Sequence, residues 1–398
     1  MEKNKSRLSY LEGIRGFAAF IVLIAHFKNI VAIDLEARSE LFFINLVHSD
    51  LLGRCLNSLI VVLLDGKLAV FVFWFMSGYV LSIRLFGANG MEYLKVAALK
   101  RYFRLAIPVL ASVLLAYGLM KFNLMYNIQL AERSGPEFQT MKGVFNFEPN
   151  IFQALKNALF DSFFQYHYRG SYNPVLWTMG PELYGSFTCF LLFLVFRIRS
   201  WRYFIFIALM IPALWFELFW LVTFIIGYML SDIVHTENPV KKKMEGLFEK
   251  IFSNPFLLTL SIIILVVING LFLTFYSGYA KVLVSVGLVI VVMYSAWLRK
   301  LFSTRLLCWL GKISFSLYLI HLPLIYSLSC YLFMTLPFGF AGNTIVSGLI
   351  TIIAALVLAE AFTRFIDRPA IRFSDAWARF ILTRFKKDKA GPEHLTAA

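Results

Sequence analysis

Arg15 and His26 lie within LEGIRGFAAFIVLIAHFKN, a stretch otherwise apolar enough for the middle of a bilayer. An arginine there can bind an anion. A histidine there can take a proton near neutral pH. Eleven residues of α-helix turn through about 1,100°, within roughly 20° of three whole turns, and rise about 16 Å. The two side chains therefore share one helical face. Ionisable groups at such depth usually face a protein interior or a water-filled cavity. The plain alternative has Arg15 snorkelling to headgroups and His26 making an interhelical hydrogen bond.

Other residues of similar promise follow. In LKRYFRLAIPV, Arg101 and Arg104 stand three apart, so their guanidinium forks share a face and suit bidentate phosphate contacts. As an alternative they anchor the span at its cytoplasmic edge. Glu182 sits inside the apolar SYNPVLWTMGPELYGSF, a costly placement unless it is paired or hydrated. Tyr318 and His321 in LGKISFSLYLIHLPLIY are again three apart and share a face. Cys55, Cys189, Cys308 and Cys330 are single, without CxxC pairs or histidines at ligand spacing, so neither a zinc site nor a disulfide framework is expected. His48 and His167 are expected in extracytoplasmic segments and His235 and His394 in cytoplasmic connectors, solvated or structural rather than catalytic.

The elements that must position these residues are helices in a membrane. Of 398 residues, 60% are hydrophobic and only 15% charged, with a mean hydropathy of +0.73. That make-up excludes an ordinary soluble globular protein and indicates an all-α, polytopic integral membrane protein. The net charge of +15 is spread in short clusters between apolar runs rather than on one patch, which favours membrane topology over nucleic-acid binding. No cleavable signal-peptide pattern is seen at the first apolar segment. About ten segments of spanning length are expected, near 10–32, 67–86, 103–121, 173–196, 202–216, 217–233, 255–275, 279–298, 313–335 and 343–366. Segment 51–64 reads as a short interfacial helix.

In this arrangement 27 of the 38 basic residues fall on one side, ten on the other, and Arg15 within a span. Positive charge stays cytoplasmic, so both termini are expected there. Residues 122–172 form a long, aromatic-rich extracytoplasmic segment, expected to be an ordered cap or short helices packed on the membrane core. The chain divides into a transmembrane domain, 1–373, and a basic cytoplasmic tail, 374–398. SGY at 77–79 is expected to allow close helix packing or a local break.

YLEGIRGFAAFIVLIAHF, FVFWFMSGYVLS, RYFRLAIP, LWTMGPELYGSF, ISFSLYLIHLPL and FIDRP occur in that order across nearly the whole chain. Together they resemble the membrane acyltransferase-3 family, whose hallmark is an arginine, ten intervening residues and a histidine in the first helix. The resemblance implies a ten-helix protein of the plasma (inner) membrane. It implies transfer of an acyl group, usually acetyl from acetyl-CoA, to a hydroxyl of a carbohydrate or lipid-linked glycan, with no metal. His26 matches the family's catalytic histidine, expected to act as general base, and Arg15 its partner arginine. Arg101 and Arg104 match the arginine pair after the second helix, expected to hold the CoA phosphates. Glu182 matches a later motif and is expected to orient a histidine or bind sugar hydroxyls, while Trp177, Tyr318 and His321 are expected to contact substrate.

Two departures stand out. Phe71 occupies a position where many relatives carry an acidic residue, and Glu182 is followed by Leu183 rather than by a second acid. A polytopic transporter or flippase for a glycan or small molecule is the alternative, against which no internal repeat is seen.

Overall fold

The computed structural model describes residues 8–31, 64–134, 141–197, 199, 201–237, 239–271 and 277–389. These residues form helices and connecting turns, with no strand among them. The principal helices are α1 (Ser9–Ile30), α2 (Gly66–Leu85), α3 (Gly90–Lys121), α4 (Met179–Phe196), α5 (Arg202–Trp215), α6 (Phe219–His235), α7 (Pro239–Ser253), α8 (Pro255–Leu271), α9 (Ser277–Tyr294), α10 (Ala296–Phe302), α11 (Arg305–Leu324), α12 (Gly339–Phe362) and α13 (Arg368–Lys389).

Over its described residues, each of the ten apolar segments read from the sequence is mostly helical. Among the described residues seven helices are long and apolar enough to cross a membrane, while Arg202–Trp215 and Pro255–Gly270 are shorter. Phe219–His235 and Val240–Ser253 meet at a bend of 100°. Aromatic side chains cover the outer surface, with Phe204, Trp215 and Phe152 all more than three-quarters exposed, as suits a lipid-facing wall. The interfacial helix expected at 51–64 lies, apart from Leu64, outside the described residues, as do Cys55, His48 and His394.

Several boundaries differ from the sequence expectation for physical reasons. α3 begins at Gly90, not at 103. The residues before its apolar part, GMEYLKVAALKRYF, include good helix formers and continue the helix beyond the length that hydropathy marks. Arg101 and Arg104 are therefore well inside a helix rather than at its start. α5 and α6 are separated at Glu217, whose φ of +56° breaks the run. α13 runs through the expected boundary at 373/374 and is tied to α3 by Lys100 Nζ to Asp375 Oδ1 at 2.7 Å and by Phe103 packing edge-on against Trp377.

Close helix crossings hold the centre. A Cβ on Gly16 of α1 would stand 2.4 Å from the Gly311 nitrogen of α11, and one on Gly311 would stand 2.1 Å from the Glu12 carbonyl oxygen. A second crossing joins α2 to α6, where a Cβ on Gly78 would lie 2.5 Å from Phe224 O. SGY thus serves close packing in an unbroken α2. α1 and α11 run parallel, since Ser9 meets Ser303 at 2.8 Å, Gly16 meets Gly311, and His26 meets His321 further along.

Of the two arrangements expected for the segment 122–172, the described residues take the second, short helices packed on the membrane core. Its short helix Ile151–Lys156 continues through the π turn Asn157–Asp161 into Ser162–Phe164. One end lies by Tyr117, whose ring is 6.3 Å from that of Tyr172. The other lies by Tyr102, whose hydroxyl donates to the Leu159 carbonyl and whose ring is 5.3 Å from Phe163. Tyr102 and Tyr117 are fifteen residues apart on α3, roughly 22 Å. The segment therefore descends along α3 and returns. Its return is fastened by Pro323: lacking an N–H, this proline leaves the Leu319 carbonyl without its helical donor, and Asn173 Nδ2 donates to that oxygen at 2.7 Å.

Two stability measurements check these joints. Gly16→Ala should lower unfolding stability in detergent by about 1–3 kcal/mol through overpacking, whereas Gly118→Ala in α3, with open space around it, should be neutral or stabilising. Asn173→Ala should cost about 1–3 kcal/mol because it orphans a buried carbonyl.

Candidate active site

A cavity of about 300 Å³ opens between α1, α2, α3, α4 and α11. α2 supplies Val70, Phe73, Trp74, Ser77, Leu81 and Arg84 to its wall. Their spacing of three and four residues forms one helical stripe, and the fourteen residues from Val70 to Arg84 cover roughly 21 Å. The cavity is long rather than round.

Its lining changes along that length. At the facing ends of α2 and α3 the cavity is lined by Arg84, which is exposed, and by Tyr93, so this end is its mouth; the Arg84 guanidinium lies 5.7 Å from the Tyr93 ring centroid. Eight residues along α3 from Tyr93, roughly 12 Å deeper, come Arg101 and then Arg104, joined in the wall by Arg15 and Glu182. Thr178, Phe73 and Tyr318 line the inner part.

Arg101 and Arg104 face the same cavity, as their spacing predicts, but each already holds a carboxylate. Arg101 Nη2 donates to Glu182 Oε1 at 2.5 Å. Arg104 makes two bonds to Asp367, from Nη1 at 2.6 Å and Nη2 at 3.3 Å, and its guanidinium lies 5.4 Å from the Phe315 ring centroid. Glu182 is thus accommodated within its apolar helix by a paired guanidinium. Its carboxylate is directed to Arg101 rather than to a histidine. Arg15 and Arg84 have no ion-pair partner among the described residues.

His26 and His321 sit beyond the inner part, outside the cavity lining. Gly66, one turn of α2 past Val70, is close enough to α1 that a Cβ there would stand 3.1 Å from the Ala25 Cβ. The histidines therefore lie about one helical turn from the inner end. His26 Nδ1 is 2.9 Å from the Val22 carbonyl, and His321 Nδ1 is 3.2 Å from the Leu317 carbonyl. A carbonyl only accepts, so in the neutral rings Nδ1 carries the proton and Nε2 the lone pair. His321 Nε2, 3.3 Å from His26 Nδ1, then accepts from the same His26 N–H. Among the described residues this leaves His26 Nε2 as the basic atom of the pair without a hydrogen-bond partner.

Tyr318 connects cavity and histidines. It lines the cavity, and its ring centroid lies 5.8 Å from that of His321. Its hydroxyl donates to the Val175 carbonyl at 2.9 Å and shares a 2.8 Å hydrogen bond with Thr178. This clasps the 3-10 turn Pro174–Thr178 onto α11. Trp177, on that turn, does not line the cavity; it packs edge-on against Trp74, which does, at 5.7 Å.

Sequence reasoning passed over Asp367, Arg84, Tyr93 and Trp74. Asp367 lies within a quoted motif, FIDRP, and Arg84 stands seven residues from Ser77 on the same face of α2; those were the available signals. His167 is exposed and His235 packs against Tyr79. Cys189, Cys308 and Cys330 are free, and no group of three metal-ligating side chains occurs among the described residues.

The Arg101–Glu182 pair is open to a double-mutant cycle. Glu182→Ala alone should destabilise by about 3 kcal/mol, since it strands a largely buried guanidinium. Adding Arg101→Ala should recover much of that loss. Additive losses would show that the pair carries no coupling.

Comparison with known proteins places this architecture. A family profile described as an acyltransferase domain matches residues 8–363. No curated protein and no solved structure matches the chain. The matched stretch contains Arg15, His26, every residue of the cavity wall and His321, and the chain belongs to the acyltransferase-3 family of membrane acyltransferases.

Proposed function

We propose that this protein transfers an acyl group, acetyl foremost, from acyl-CoA to a hydroxyl of a carbohydrate or lipid-linked glycan, with His26 as general base. The observation that carries this reading is the placement of His26. Its Nδ1 proton is engaged by Val22 and His321, its Nε2 is uncommitted, and it stands beyond the inner part of a cavity lined by four arginines.

The end of the molecule bearing Arg84 faces the cytoplasm in this reading, where the basic clusters concentrate and acyl-CoA is made. The cavity is suited to an anionic, elongated donor: guanidiniums at the mouth and middle, apolar and aromatic side chains further in. Arg15 stands at the middle, and the rise of about 16 Å from it to His26 is comparable with an extended pantetheine arm. The donor's phosphates would be held near the arginines and its thioester presented toward the histidines.

At the histidines the acceptor arrives from the other side of the membrane. His26 Nε2 takes the proton of the acceptor hydroxyl as its oxygen bonds to the thioester carbonyl carbon. The carbon–sulfur bond breaks, and the imidazolium returns the proton to the departing thiolate. His321 acts as a positioning residue by accepting from His26 Nδ1, which holds the ring and favours the tautomer with a basic Nε2. Glu182 contributes through Arg101, keeping the cavity wall in place.

The test is label transfer from acetyl-CoA to candidate glycans by purified protein in nanodiscs. His26→Ala should lower kcat by about 10²–10⁴-fold. His321→Ala should lower kcat by about tenfold while leaving the KM for the donor unchanged. Full activity in His26→Ala would overturn the assignment of the base.

A further inference from the structure

We infer that Arg84 and Tyr93 form a separate subsite at the cavity mouth for the phosphorylated nucleoside end of the donor, with Arg84 binding a ribose phosphate monoester and Tyr93 stacking on the base. This rests on the acyl-CoA reading and adds to it the residues that distinguish the donor's terminal phosphate.

The first ground is the distribution of charge. Four guanidiniums line the cavity. Two are committed: Arg101 to Glu182 and Arg104 to Asp367. Arg15 and Arg84 are the lining guanidiniums without an ion-pair partner among the described residues. Two uncompensated cations at different depths suit a ligand with anionic groups at two places along its length.

Position is the second ground. Arg15 shares the middle of the cavity with Arg101 and Arg104, whereas Arg84 stands with Tyr93 at the mouth, roughly 12 Å away along α3. A donor whose thioester points inward presents its nucleoside last, at the mouth. Arg84 is exposed and open to an arriving ligand, and Glu92, the nearest carboxylate in sequence to Tyr93, pairs with Lys95 at 2.9 Å.

Third is shape. The Arg84 guanidinium lies over the half-buried Tyr93 ring. When Arg84 turns to a phosphate, the ring face it covers is freed for a base, the combination that a purine ribonucleotide carrying a phosphate monoester requires.

Donor discrimination by the full-length protein in nanodiscs tests this. Wild type should show a KM for 3′-dephospho-acetyl-CoA at least about tenfold above that for acetyl-CoA. Arg84→Ala should raise the KM for acetyl-CoA to match the dephospho donor, leave the KM for the dephospho donor unchanged, and leave kcat unchanged. Tyr93→Ala should weaken both donors alike, and Tyr93→Phe neither. An Arg84→Ala enzyme that still discriminates the two donors would overturn the inference.

A ligand without an acyl group separates the two readings. Adenosine 3′,5′-bisphosphate should raise the melting temperature of wild type, and Arg84→Ala should abolish the rise. No rise in wild type overturns the subsite. A rise that depends on Arg84, in protein that transfers no acetyl group, supports the subsite and overturns acetyl-CoA as the donor.

Discussion

The close approach of α1 and α11 at Gly16 and Gly311 is the constraint on which the site depends. Neither residue has a Cβ, and a Cβ on either would meet the partner helix's backbone at 2.4 Å or less. The two helices run parallel, so equal steps along each accumulate equal rise and rotation. His26 is ten residues beyond Gly16 and His321 ten beyond Gly311. The register set at the glycines is therefore delivered roughly 15 Å further on, where the two imidazoles meet at 3.3 Å. A displaced crossing would separate the rings without altering either one.

The same economy governs the charges. Gathering four guanidiniums around one cavity, three of them partly withdrawn from solvent, is unfavourable unless something offsets their repulsion and desolvation. Glu182 and Asp367 do so for Arg101 and Arg104, and those pairs also join α3 to α4 and to the π turn Thr363–Asp367 that precedes α13. The i, i+3 arginines thus act first as fasteners of the wall. Arg15 and Arg84 remain without such partners, so the cavity keeps a net positive field at its middle and mouth.

Much of this was legible from the sequence because it is local. Apolar runs located the helices, and a three-residue spacing placed Arg101 with Arg104 and Tyr318 with His321. The i, i+11 phase of Arg15 and His26 indicated a common helical face, although only Arg15 reaches the cavity lining. What escaped is non-local or polar. Arg101 and Glu182 are 81 residues apart and Arg104 and Asp367 are 263 apart, so no periodicity reports their pairing. The first turns of α3 carry too many polar side chains for hydropathy to mark, although nothing in them opposes a helix. For residues 151–164 the sequence left a cap and core-packed short helices both open, because their aromatic side chains fit either, and nothing local marked α3 as the helix they follow.

The turn of α11 from Tyr318 to His321 brings these parts together. Tyr318 borders the cavity and grips Val175 and Thr178; Leu319, released by Pro323, grips Asn173; His321 holds His26. One helical turn is thus bonded on one flank to the returning segment and on the other to the catalytic candidate. Because a packed helix moves as a body more readily than it bends, slack introduced at Asn173 would be felt at His26 Nδ1 through His321. The returning segment can therefore influence the proposed base without touching the proposed donor site, and Trp177 shares in that influence through the turn it rides on rather than through a place in the cavity wall.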